Sequence, residues 1–278
     1  MSLSSPAWVA PDLVASRPPP PGTARDTAKV GRPLVVLAAL LLFAWWAYSF
    51  DRDIALRYGP RLLEGLWVTA QLVIGSVGLG FLLALPLAAA RLSQNPLVGW
   101  PAYAYSYFFR GTPLLAQVFL FYYGAGQFRE HLEAANLWWL ARDPFTAALL
   151  VFTLNTAAYQ SEILRGAIRA VPKGQWEGAS ALGLRRLVTL RKVVLPQAAI
   201  TALRPLGNEI IFVVKGSAIA SIITVYDLMG ETRLAFSRTY DFAVYLAAAL
   251  LYLVIVELLR RLWDRLDARL TRHLEREH

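Results

Sequence analysis

The sequence predicts an all-α integral membrane protein with about six transmembrane helices, and three observations lead there. Hydrophobic residues make up 56% of the 278 and charged residues only 17%, against about 45–50% and about 25% in a soluble domain. The apolar residues fall in six blocks close to the ~20 residues that cross a bilayer. The basic residues alternate between the gaps separating those blocks, as the positive-inside rule requires. There is no cysteine, so disulfides are excluded. His131, His273 and His278 are too few and too scattered for a histidine-based metal site.

Taken in order, the tail at 1–33 contains Pro18-Pro19-Pro20-Pro21 and scattered small residues and is expected to be disordered. The block at 34–50 ends in bulky Trp45, Trp46 and Tyr48, where a signal peptide would carry small residues, so it reads as a retained anchor. Blocks follow at 62–90, 102–126, 144–163, 197–225 and 242–262, and a basic tail covers 263–278. Eighteen Lys and Arg residues lie in the two tails, at the very end of the sixth block (Arg260 and Arg261), after the second block and in the long gap before the fifth. Seven lie in the opposite gaps, among nine acids. Six spans with both termini cytoplasmic satisfy this count. The net charge of +9 is thereby accounted for without nucleic acid.

Seven of the eighteen bases fall in the gap at 165–196. Pro172 suits the opening of a short helix, and Gly183 its left-handed close. A second short helix is expected from Leu184 to Val194, stopped before Pro196. Such a hairpin either lies on the inner membrane surface or docks a cytoplasmic partner.

Glu177-Gly178-Ala179, three residues, Gly183, then Val193-Val194-Leu195-Pro196 resembles the EAA loop of ABC-importer permease subunits. Gly178 and Val193 depart from its usual Ala and Ile but stay small or apolar. Phe109-Arg110-Gly111-Thr112-Pro113-Leu114, Asn155-Thr156-Ala157-Ala158-Tyr159 and Gly207-Asn208-Glu209 resemble the polar amino-acid branch, the histidine, arginine and opine permeases. The resemblance implies a permease domain over 62–262, with five core helices plus the N-terminal anchor, in a bacterial inner membrane. It implies that Glu177, Gly178, Ala179 and Gly183 form a coupling element for separate ABC ATPase subunits. It also implies a substrate-binding protein, periplasmic or lipid-anchored, and a second permease subunit, more often a sister chain than a copy. The four lysines are never followed by Ser or Thr, so a Walker-type phosphate loop is absent. No catalytic residue or metal site is expected. ATP and magnesium belong to the partner ATPase, and this chain is expected to bind no cofactor.

Polar groups inside spans are costly and mark function. At 1.5 Å per residue, Arg110, Asn155, Asn208 and Glu209 lie ~14–18 Å inside their blocks, near the midplane. Asn155, Tyr159 and Glu162 share one helix face, as do Arg110 and Gln117, while Gly111 and Pro113 break the third block. These seven residues are the candidate substrate pathway. Structural roles compete with that reading: Arg110 pairing with Glu209, Glu162 pairing with Arg165 or Arg169, and Asn155 and Tyr159 as interhelical hydrogen bonds. An ion-coupled carrier using Glu162 or Glu209 is the alternative function, and a membrane scaffold without transport is a third.

Overall fold

A computed structural model describes residues 37, 41, 43, 44 and 52–271. Two compact units divide the chain, Met1–Ser49 and Phe50–His278. In the first, the four described residues are helical. The rest of the expected anchor, the tail at 1–33 and the bases beyond residue 271 lie outside the described residues.

The second unit is helical throughout, with no strand among the described residues. Helix α1 spans Arg52–Leu92 and contains Pro60 and Pro86. It begins ten residues before the apolar block, because its first turns carry charged residues on a continuing helix. The third block is broken where Gly111 and Pro113 predict. Helix α2 (Pro96–Gly111) ends at Thr112, and α3 (Leu114–Ala125) restarts after Pro113. Short elements, α4 (Arg129–Ala134) and α5 (Trp139–Arg142), lead to α6, Pro144–Ala170. Asp143 caps α6 by accepting from the Thr146 amide at 2.8 Å, and Pro144 fits its first turn.

Helix α7 (Lys173–Ala181) opens after Pro172 as expected. It closes in a Schellman turn, with Gly183 at φ +72°, its amide on Ser180 O at 2.9 Å and the Leu184 amide on Ala179 O at 3.1 Å. The next segment corrects the sequence reading. Helix α8 (Arg186–Thr189) does not stop before Pro196 but runs through a π turn, Leu190–Val194, into α9, Leu195–Gly216. Proline lacks an amide hydrogen, and the wider turn places Pro196 at the start of α9, where none is needed. After α9 come a 3-10 segment (Ser217–Ile223), α10 (Leu228–Thr239) and α11 (Ala243–Thr271).

Among the described residues, three helical segments are long and apolar enough to cross a membrane: Leu56–Leu92, Arg186–Ile223 and Ala243–Thr271. Helices α2 and α3 are individually short, and α6 carries a run of polar side chains. Leu72, Val118, Val151, Phe152, Val214 and Ile223 form the main core, drawn from α1, α3, α6, α9 and the 3-10 segment. Helix α6 lies at its centre, so its polar face is enclosed by neighbours.

Candidate functional site

The break after α2 fixes the first part of the site. Its freed carbonyls are taken up by side chains: Gln117 Nε2 donates to Phe109 O at 2.9 Å and Thr112 O at 3.1 Å. Asn155 Nδ2 donates to the same Phe109 carbonyl at 2.9 Å and to Gln117 Oε1 at 3.0 Å. Asn155 and Gln117 are therefore interhelical fasteners that satisfy an interrupted backbone, as buried polar groups require. Tyr159 reaches the Arg110 carbonyl at 3.5 Å from the same face of α6.

A cavity of about 610 Å³ opens beside this fastening, lined by Asn155, Thr156, Tyr159, Asn208, Glu209 and Phe212 among others. Asn208 is exposed and Glu209 is buried. Glu209 does not pair with Arg110, contrary to one expectation. It accepts from Gln160 Nε2 at 3.2 Å and has no cationic partner among the described residues. Gln160 sits one residue past Tyr159 and so turns toward α9, which is why a face drawn through Asn155, Tyr159 and Glu162 misses it.

Arg110 instead reaches Glu162, the carboxylate of a three-arginine cluster. Arg91 Nε lies 2.8 Å from Glu162 Oε1, and an Arg165 terminal nitrogen lies 2.6 Å from Oε2. Arg110 stands 3.7 Å from Oε2, and its guanidinium lies over the Tyr159 ring at 5.4 Å. The expected pairing of Glu162 with Arg165 is present and that with Arg169 is not. Arg91, at the end of α1, was not a candidate. It lies 71 residues from Glu162, and no local pattern signals so distant a partner. Arg110, Glu162 and Arg165 line a second cavity of about 510 Å³. Tyr159, Ile163 and Pro205 border both cavities and form the partition between them.

The EAA-like segment stands apart from these cavities. Glu177, Gly178 and Gly183 are exposed, whereas Ala179 is buried. Leu182 and Leu187 are 80% and 65% exposed, an apolar surface on an otherwise polar hairpin. Outside the spans, burial pushes the Asp227 carboxyl up to about 6, despite its acceptance of the Gly230 amide. Burial also raises Glu231, beside Arg61.

Residues 68–272 match the family described as "binding-protein-dependent transport system inner membrane component". The nopaline transport system permease protein of Agrobacterium fabrum is 40% identical over 213 residues, covering 76% of this chain and 88% of that protein. The arginine ABC transporter permease protein of Escherichia coli is 39% identical over 211 residues, covering 75% and 95%. Among solved structures, an amino acid ABC transporter crystallised with histidines aligns with a TM-score of 0.72 at 33% identity, over 80% of this chain and 99% of that one. A methionine ABC transporter shares the fold, with a TM-score of 0.64 at 21% identity.

Proposed function

The chain belongs to the family of binding-protein-dependent transport system inner membrane components, and from that footing we propose that it carries basic amino acids or opines through the cavity at Asn155, Tyr159, Asn208 and Glu209. It is an integral membrane permease of the inner membrane, part of an ABC importer of amino acids, and ATP is hydrolysed by a separate ATPase subunit. Membership of this family sets the ion-coupled carrier and the inert scaffold aside. The observation that carries the substrate class is Glu209, a buried carboxylate beside a cavity with no cation against it among the described residues. A buried charge left unpaired is costly unless something completes it, and an ammonium or guanidinium group of a substrate does so.

The path is read as running between two permease subunits, with a sister chain favoured over a second copy on the resemblance to the histidine, arginine and opine permeases. Six spans with both termini cytoplasmic, and an anchor at 34–50 added to a core over 62–262, remain the arrangement that the charge distribution supports. The exposed Glu177, Gly178 and Gly183 with Leu182 and Leu187 are read as the surface seated on the ATPase, while Ala179 shapes it from beneath. The chain itself is taken to hold no cofactor. Reconstitution with the ATPase and binding protein tests the reading: ATP-dependent uptake of a basic amino acid or opine is expected, and Glu209→Gln is expected to reduce it. Uptake driven by an ion gradient without ATP, or unaffected by Glu209→Gln, refutes it.

A further inference from the structure

The two cavities that share Tyr159, Ile163 and Pro205 carry opposite charge. On one side stands the Glu209 carboxylate, with an amide and no cation for a partner. On the other, Arg110 and Arg165 line the cavity with Glu162, and Arg91 pairs the same carboxylate from an adjoining cavity, so the cluster as a whole carries a surplus of two positive charges. The positive cavity lies toward the end of α6 that leads into the α7 hairpin, the cytoplasmic side by the distribution of bases. A basic amino acid is itself polar in charge, with its one carboxylate beside the α-ammonium at one end and an unbalanced cation on its side chain at the other. In a partly dehydrated cavity such charges interact far more strongly than in water.

The three arginines are not equivalent. Glu162 Oε1 is taken by Arg91 and Oε2 by Arg165, both at hydrogen-bonding distance. Arg110 is held only at 3.7 Å, its side chain is 43% exposed, and it leans on the partition residue Tyr159. Its guanidinium donors are uncommitted among the described residues, and a guanidinium fork matches a carboxylate bidentately.

We propose that Arg110 forms a carboxylate-receiving exit site, so that a basic amino acid leaves carboxylate first while its cationic side chain is held back at Glu209. This rests on the Glu209 cavity being the substrate chamber. The reverse orientation brings the side-chain cation against the positive cluster and gives Glu209 only the zwitterionic α end, whose carboxylate offsets its ammonium, so both contacts are poorer. The partition at Tyr159 separates the two halves of one solute.

The test is equilibrium binding of L-arginine and of agmatine, which lacks the carboxylate, to the complete nucleotide-free transporter by calorimetry. Arginine is expected to bind about tenfold more tightly, the scale of one charged hydrogen-bonding contact. Arg110→Gln is expected to erase that ratio by weakening arginine alone, and Arg110→Lys, which keeps the charge, to restore most of it. Arg110→Gln weakening both probes equally, or neither, overturns the proposal. Glu209→Gln separates the underlying reading, since it is expected to weaken both probes. If it leaves both unchanged while Arg110→Gln still erases the ratio, the chamber reading and the orientation fall and the carboxylate contact stands. Failure of wild-type transporter to bind either probe overturns both.

Discussion

Replacing Glu162 by Gln leaves Arg91, Arg110 and Arg165 facing one another without the carboxylate that holds them. Removing one partner of a fully buried ion pair costs about 3–5 kcal/mol. The Glu162, Arg91 and Arg165 side chains are 12%, 17% and 22% exposed, so water relieves part of the repulsion and about 2–4 kcal/mol is expected. For a chain of this size that lowers the melting temperature by roughly 5–15 °C. Thermal unfolding of the purified complex in detergent measures it. Arg91→Gln and Arg165→Gln are expected to be costly alone and much less so in the Glu162→Gln background. Arg110→Gln, which removes a longer and more exposed contact, is expected to cost less than about 1 kcal/mol. Losses for Arg91 and Glu162 that simply add to within about 0.5 kcal/mol refute the coupling. An Arg110 loss as large as that of Arg91 refutes the ranking.

Gly207 packs so closely on the Trp263 indole that a Cβ there overlaps the ring, whose Nε1 donates to Leu203 O at 2.6 Å. Gly207→Ala is expected to destabilise by about 1–3 kcal/mol, with Trp263→Ala relieving the clash in a double-mutant cycle. Gly183→Val places a β-branched residue at φ +72° and is expected to cost about 1–2 kcal/mol locally; recovery of less ATPase in a pull-down checks it, and unchanged recovery counts against the coupling role. Asp227 is pushed up to about 6 by burial, so the folded chain holds a proton there that the unfolded chain has released. Its stabilising contribution is full below the ordinary carboxyl range and fades as pH rises through about 6. Asp227→Asn, which keeps an acceptor for Gly230, should therefore melt above wild type at pH 8, with the gap closing toward pH 4.

Local chemistry made much of this fold legible. Gly111 and Pro113 mark the break between α2 and α3 because each acts on the backbone where it stands, and Pro172 and Gly183 bound α7 for the same reason. Polar residues within apolar blocks likewise marked the cavity wall. Choice of partner was legible only for the local pair Glu162 and Arg165, three residues apart, and not between helices. Arg110 was matched to Glu209 by depth alone, whereas helix rotation brings Arg110 to Glu162 and Gln160 to Glu209. The π turn has no local signature, because Pro196 at the second position of α9 reads, in sequence, like a stop.

That turn has a mechanical consequence. Helix α8 and α9 form one continuous helical path across Leu190–Val194, so the exposed hairpin and the cavity wall belong to a single lever. From Leu195 to Asn208 the arm is ~20 Å long. A tilt of about 5° about the π turn swings Asn208 by ~1.7 Å, more than half the length of a hydrogen bond. With the widened turn as fulcrum, the short arm at α8 and the long arm of α9 turn small displacements of the hairpin into larger ones at the polar side chains.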